Sequence, residues 1–145
     1  MFIPEKEYKA IIEKLPIICV DLLIIYDRKC LLLKRNNEPA KGEYWFAGGR
    51  IHKLESIENA AIRIALEETN LKCKFIKIVS VEESIFKRNN TMHCDLHTVN
   101  VCCEMKTNNI SSFKIDNNHN DFIWMNKIDP NYHLAVKKPL IILGF

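Results

Sequence analysis

Residues 49–71 read GRIHKLESIENAAIRIALEETNL, and this stretch decides the fold. Its second half has the apolar spacing of an amphipathic helix that runs from Ser56 to Asn70. Ser56 is a favourable N-cap, and Asn70 stands where glycine usually ends a helix. The stretch therefore predicts a polar loop that leads directly into a capped helix.

Glu68 is out of place on this helix. A turn of about 100° per residue puts Glu68 on the line of Ala61 and Ile64, the face expected to pack on a sheet. Glu67 and Glu68 also lie at the helix C-terminus, where the macrodipole disfavours negative charge. A buried carboxylate needs a cation or strong donors, and a divalent cation would meet that need. The alternative is that Glu68 simply reaches solvent from a frayed last turn.

The rest of the chain predicts a mixed sheet with helices before, within and after it. An amphipathic helix is expected from Pro4 to Leu15, and a short apolar helix near the C-terminus. A polar loop over residues 36–53 holds three of the four glycines, which indicates unusual torsions or a close approach. Strands are expected over residues 17–26, 30–34, 71–85, 97–105 and 121–125.

Length and composition fit one globular domain over residues 1–145. The chain is 48% hydrophobic and 27% charged, with a formal net charge of +3. Such a small, dispersed charge does not favour nucleic acid or a membrane surface as a partner. The longest apolar stretch, Leu15 to Tyr26, is too short to span a bilayer, and the N-terminus is too acidic for a signal peptide. We therefore expect a cytoplasmic protein.

The six cysteines contain no Cys-x-x-Cys pair, and most of them lie in apolar, strand-like runs. A disulfide framework or a zinc site is conceivable. Reduced thiols that pack as small hydrophobic side chains are the better interpretation.

The spacing of Gly49, Glu55, Arg63 and the pair Glu67-Glu68 resembles the Nudix box. Two positions depart from the family pattern, because Ile64 stands where a second Glu is usual and Asn70 where the last Gly is usual. The resemblance implies an α+β fold, the Nudix α/β/α sandwich, with a mixed sheet packed between helices. The single domain would carry its box at residues 49–71.

Further segments resemble the GDP-mannose mannosyl hydrolase branch of that family, which also has an aliphatic residue in place of the second Glu. These segments are IICVDL at 17–22, KR at 34–35, PAKG at 39–42, YWF at 44–46, GGR at 48–50, NHND at 118–121, and Trp124. The resemblance implies hydrolysis of a nucleoside diphosphate sugar by attack of water on the anomeric carbon. Thr98 departs from the branch, which has a tyrosine there that contacts the leaving diphosphate.

By this resemblance, the metal ligands would be the Gly48 carbonyl, Glu68 and the Asn118 side-chain oxygen, with Glu67 as a candidate fourth ligand. Mg²⁺ takes about six oxygen ligands, few of them from protein, and it neutralises a pyrophosphate during cleavage. Because Ile64 removes a ligand that other members use for further metals, we expect one Mg²⁺, for which Mn²⁺ could substitute.

Arg35 and Arg50 are the candidate phosphate-binding residues, since an arginine can fork two hydrogen bonds onto phosphate oxygens. Arg35 matches the residue that stabilises the departing diphosphate. A solvated surface charge is the alternative for each arginine. Glu55 and Arg63 match the structural pair of the box, although an ordinary surface ion pair would also fit.

Asp21 and His119 are the remaining candidates for catalysis. Asp21 interrupts an apolar strand and matches an active-site residue of the branch, but it could also be a structural acceptor. His119 matches the general base, and an imidazole is suited to deprotonating water near neutral pH. An exposed loop histidine is the alternative.

Two other functions stay open. One is attack of water on phosphorus in a nucleoside di- or triphosphate or a nucleotide sugar, favoured by the retained Glu67 and by Thr98. The other is a non-catalytic nucleotide-binding module. In each case the partner is a small nucleotide, and the resemblance also allows a homodimer.

Overall fold

The computed structural model describes residues 2–145. The helices and strands, in chain order, are α1 (Glu5–Ile12), β1 (Ile17–Tyr26), β2 (Lys29–Arg35), β3 (Tyr44–Trp45), β4 (Ala47–Arg50), α2 (Ile57–Thr69), β5 (Lys74–Phe86), β6 (Leu96–Lys106), β7 (His119–Met125) and α3 (Leu134–Leu143). Across these described residues, no helix combines the length and the apolar character needed to cross a membrane.

The strands of residues 2–145 form one mixed, seven-stranded sheet in the order β3-β2-β1-β6-β5, with β4 added to β1 and β7 added to β2. The pair β1–β6 is parallel, and the other pairs are antiparallel. Helix α2 packs on one face and α3 on the other, each over its own buried apolar cluster. The predicted α+β sandwich is therefore confirmed.

Strand β1 is the point where the sheet forks. Near its end, β1 pairs with β2 at residues 25–26, whereas residues 19–22 pair with β4. Strand β2 leaves this hairpin to pair with β3 and β7. The fork separates β2 from β4 beside Asp21, and a cleft opens there.

Local sequence signals explain the ends of α2 and the first hairpin. The Ser56 hydroxyl accepts a hydrogen bond from the Asn59 N–H at 3.1 Å, and Asn70 adopts the left-handed conformation with φ of 55°. Asp27 and Arg28 both have positive φ, as a tight two-residue hairpin turn requires. The predicted capped helix is confirmed.

The predicted loop over residues 36–53 is wrong in its second half, because β3 and β4 lie within it. Glycines disfavour strands, so the pattern hid β4. Its pairing with β1 demands glycine, since a Cβ on Gly48 would lie 2.5 Å from the Asp21 Oδ1 atom. Element ends also differ: α1 stops at Ile12, β5 begins at Lys74, and β7 begins at His119.

All six cysteines are free thiols. Cys30, Cys73, Cys102 and Cys103 are buried, as predicted, whereas Cys19 and Cys94 are only half-buried. Both half-buried thiols line the cleft beside the fork.

Candidate active site

A cleft of about 420 Å³ opens where the sheet forks. Its walls come from α1, β1, β4, β6, the segment after β2 and the connection between β5 and β6. Two arginines and one buried acid supply charge, and aromatic rings supply apolar surface; these residues are Arg35, Arg50, Asp21, Trp45, Phe46 and Phe86. The cleft thus combines apolar surface with a few charged groups, as small-molecule sites do.

Asp21 is a buried acid on the floor of the cleft, with 4% of its surface exposed. Its Oδ2 atom accepts hydrogen bonds from the Asn100 Nδ2 atom at 3.1 Å and from the Trp45 Nε1 atom at 3.4 Å. Burial raises the pKa of Asp21 to about 6, although these two donors and Arg35 oppose the shift. Asp21 is thus both a hydrogen-bonded acceptor and part of the cleft surface.

Glu68 is turned inward, as its position on the apolar face predicts. Its Oε2 atom accepts a hydrogen bond from the backbone N–H of Gly48 at 3.0 Å. Burial raises the pKa of Glu68 to about 8; the Gly48 N–H and Arg35 oppose this rise, and the charges of Asp116 and Asp21 add to it. The structure therefore does not support a solvated carboxylate at a frayed helix end.

The segment before β7 returns to the end of α2 and carries three polar side chains with it. The Asp116 N–H donates to the Glu68 carbonyl at 3.0 Å. The Asp116 carboxylate lies 2.6 Å from the His119 Nδ1 atom and accepts from the Asn118 amide at 3.1 Å. Asp116 thus links His119 and Asn118 to the end of α2, with 4% of the His119 side chain exposed, and their shared site with Glu68 stays a prediction.

Glu55 and Arg63 form a two-pronged ion pair between the loop and α2. The Arg63 Nε and Nη2 atoms donate to the Glu55 carboxylate at 2.7 and 2.8 Å. The His52 N–H adds a bond at 2.9 Å, and Arg63 also donates to the Arg50 carbonyl at 3.1 Å. The Arg63 guanidinium holds the pKa of Glu55 at about 2. This geometry fits a structural pair that fixes the loop carrying Arg50.

Glu67 points toward Arg63 and not toward the Gly48–Glu68 contact. It pairs with the Arg63 Nη1 atom at 3.0 Å, and 58% of its side chain is exposed. The arrangement gives no support to Glu67 as a direct metal ligand.

The donor set at the end of α2 fits a hard divalent cation. The Gly48 carbonyl, the Glu68 carboxylate and the Asn118 amide supply oxygen atoms, which Mg²⁺ prefers, and it often takes only one or two carboxylates. The Asn118 Oδ1 atom already accepts from Asn37 at 2.7 Å, but an amide oxygen has a second lone pair. Within residues 2–145, no three His, Cys, Asp or Glu side chains form a metal-binding group.

The two arginines differ in how they are held. The Arg35 Nε atom donates to the Pro39 carbonyl at 2.6 Å, and the Arg35 charge lowers the pKa values of both Asp21 and Glu68. Arg35 therefore lies near both acids and can bridge them to an anion. Arg50 also lines the cleft, where its charge acts on Tyr8 and Cys19.

Sequence reasoning missed Asp116 and Asn100. Asp116 could have been found as an acid three residues before the candidate base His119. Asn100 gives a weaker signal, a polar side chain in the apolar strand β6 that alternates with Thr98 on one face.

An α/β/α sandwich with a glycine pair on β4, two acids at the end of α2 and an arginine-lined cleft has the features of a phosphate-binding domain. The family model described as the NUDIX domain matches residues 16–137, so the chain belongs to the Nudix hydrolase family. Members of this family generally use divalent metal ions.

Two curated proteins align with part of the chain. It is 42% identical over 66 residues to the low-salt glycan biosynthesis protein Agl8 of Haloferax volcanii, covering 46% of this chain and 42% of that protein. It is 37% identical over 79 residues to the ADP-ribose pyrophosphatase of Methanocaldococcus jannaschii, covering 54% of this chain and 46% of that protein. The matches thus span less than half the length of either relative.

Solved structures share the fold. A MutT Nudix hydrolase from Burkholderia pseudomallei superposes with a TM-score of 0.69 at 20% identity, covering 90% of this chain and 99% of that one. The Nudix domain of Shewanella oneidensis NrtR, complexed with ADP ribose, gives a TM-score of 0.57 at 24% identity, covering 84% and 82% of the two chains. Likeness at this level of identity concerns the fold alone.

Proposed function

We propose that the chain hydrolyses a nucleoside diphosphate sugar, with water attacking the anomeric carbon. The observation that carries this proposal is the Asp116–His119 pair beside Glu68. Because an ionised carboxylate only accepts hydrogen bonds, Asp116 assigns the proton to the Nδ1 atom of His119. The Nε2 atom is then the basic nitrogen that can take a proton from water.

The other residues would bind the diphosphate, orient the sugar or hold the metal ion. Arg35 and Arg50 would bind the diphosphate and offset its charge as the bond to the sugar breaks. Asp21 would orient the sugar through its carboxylate. Gly48, Glu68 and Asn118 would hold Mg²⁺, or Mn²⁺ in its place. When bound, such an ion supplies charge neutralisation for the diphosphate.

The two curated relatives are compatible with this class of substrate. One is named for glycan biosynthesis, and the other for cleavage of ADP-ribose, in which a sugar is attached to a nucleoside diphosphate. The second name also favours an alternative, attack of water on phosphorus. Thr98 is compatible with that alternative, because its small side chain leaves more room in the cleft than a tyrosine would.

Hydrolysis in ¹⁸O-labelled water, with products identified by mass, distinguishes the two reactions. Nucleotide sugars and nucleoside triphosphates are screened with Mg²⁺ and with Mn²⁺. We expect a free sugar that carries the label and an unlabelled nucleoside diphosphate. Label in a phosphate would establish the alternative, and absence of turnover on every substrate would leave a binding module without catalysis.

A further inference from the structure

Four buried side chains form a hydrogen-bonded relay along the floor of the cleft. The Thr98 hydroxyl donates to the Asn100 Oδ1 atom at 2.6 Å, and the Asn100 amide donates to the Asp21 Oδ2 atom at 3.1 Å. Trp45 donates to the same Asp21 oxygen at 3.4 Å. Each of the four residues lines the cleft, and each is at most 9% exposed.

The direction of every bond in this relay is fixed by chemistry. An indole N–H can only donate and an ionised carboxylate can only accept, so the Asp21 Oδ2 atom accepts both bonds made to it. Asn100 must then turn its amide nitrogen toward Asp21, which leaves its carbonyl oxygen facing Thr98. The Thr98 hydroxyl has a single proton, and that proton is used on Asn100.

The fixed direction of these bonds determines which hydrogen-bonding groups remain available to a ligand at the floor of the cleft. The Thr98 oxygen has only lone pairs left, and the Asp21 Oδ1 atom is a further acceptor. A ligand group seated here must therefore bring donors. Sugar hydroxyls are donors, whereas ionised phosphate oxygens are acceptors and are repelled by a carboxylate.

We propose that Asn100 and Thr98 are specificity-determining residues that make the Asp21 end of the cleft a subsite for a neutral, hydroxyl-bearing group. The inference rests on the proposed function and deepens it. A nucleoside diphosphate would end in a sugar at this subsite, with its phosphates on Arg35 and Arg50. A nucleoside triphosphate would bring an anion to the same acceptors and be disfavoured.

Binding measured by calorimetry in EDTA tests this inference without turnover. The ligands are three matched pairs: GDP-mannose with GTP, UDP-glucose with UTP, and ADP-ribose with ATP. The wild type is expected to bind the sugar-bearing member of its best pair more tightly. Thr98→Val removes one bond of the relay and Asn100→Val removes two, and each should reduce that preference about tenfold or more.

Two further variants make the test specific. Thr98→Ser keeps the hydroxyl and should keep most of the preference. Thr107→Val removes a buried hydroxyl that bonds the Asn109 carbonyl near the far end of β6, and it should leave the preference unchanged. In the Asn100→Val protein, the Trp45 indole N–H signal in ¹H–¹⁵N spectra should shift, while the signal of Trp124 stays in place.

The outcomes separate this inference from the proposed function. An unchanged preference in Asn100→Val and Thr98→Val, or a wild type that favours no sugar-bearing ligand, would overturn the subsite. If ¹⁸O appears in a phosphate product, attack at carbon is overturned. If the protein still prefers the sugar-bearing ligand and Asn100→Val still weakens that preference, the subsite stands even so.

Discussion

Glu68 shows how one side chain can be costly for the fold and useful for a site. Burial opposes its charge, and the Gly48 N–H is bonded to its Oε2 atom. Asp116 and Asp21 add negative potential at the same place. Such a concentration of acids is relieved by a divalent cation, which is why these residues point to a metal-dependent reaction.

The first prediction concerns the two adjacent acids at the end of α2. Glu68→Gln should reduce Mg²⁺-dependent turnover more than about 100-fold, because the only carboxylate in the proposed ligand set is lost. Glu67→Gln is the matched control, and its loss should be much smaller because Glu67 pairs with Arg63. Steady-state rates on the best substrate measure both variants. Equal losses would place Glu67 among the ligands.

Glu55 provides a prediction about pH and stability. The Arg63 guanidinium holds the pKa of Glu55 at about 2, below its ordinary value of 4.5. A lowered pKa means that the stabilisation is complete above pH 4.5 and is lost as pH falls toward 2. Glu55→Gln should therefore cost about 2 kcal/mol of unfolding free energy at pH 7, and the difference should shrink as the medium becomes acidic.

Denaturant unfolding at several pH values measures that difference. The exposed residue Glu7, changed to Gln, serves as a control that should cost little at any pH. A Glu55→Gln penalty that is constant between pH 7 and pH 3 would contradict the assignment.

Single residues of the site could be predicted where they break a pattern. Asp21 interrupts an apolar strand and Glu68 an apolar helix face, so both can be found from sequence, and the structure buries Asp21 and half-buries Glu68. Asp116 and Asn100 break no comparable pattern. Their roles arise from contacts between segments distant in the chain, such as the 79 residues that separate Asn100 from Asp21.

At the scale of elements, the pairing of β4 with β1 decides the shape of the site. It places Gly48 opposite Asp21, so that this strand contacts both the cleft floor and Glu68. Helix α2 was predictable because its caps and periodicity are local. Strand β4 was not, because its glycines are required by a close approach that only the folded sheet creates.

Replacing the two glycines of β4 separately tests that close approach. In Gly48→Ala, the new Cβ would lie 2.5 Å from the Asp21 Oδ1 atom and 2.6 Å from the Val20 carbonyl oxygen. Because one of these contacts is backbone, we expect a loss of about 2–3 kcal/mol in unfolding free energy and a loss of activity. In Gly49→Ala, the nearest atom is the flexible end of Ile64 at 3.3 Å, so the cost should be smaller. Thermal and denaturant unfolding measure both costs. A larger loss for Gly49→Ala than for Gly48→Ala would contradict the register of the β1–β4 pairing.

At the scale of the whole molecule, two segments that are distant in the chain meet in the wall of the cleft. Helix α1 supplies Tyr8 and Ile12, and the connection between β5 and β6 supplies Met92 and His93. The carboxylate of Glu13, which follows α1, lies 2.5 Å from the His93 Nε2 atom. This pair ties the two walls together across 80 residues of sequence.

His93→Ala should therefore loosen the walls and raise KM, with little change in kcat, because His93 pairs with Glu13 and is not among the residues proposed for the chemistry. An exposed ion pair contributes about 0.2–1 kcal/mol, so the rise should be at most about fivefold. High salt should raise the KM of the wild type toward that of His93→Ala, because salt screens the exposed Glu13–His93 pair. Lys87→Ala is the matched control, because it breaks the exposed Lys87–Asp95 pair within the same connection and leaves α1 tied. A fall in kcat at unchanged KM would instead place His93 in the chemistry and remove the closing role of this pair.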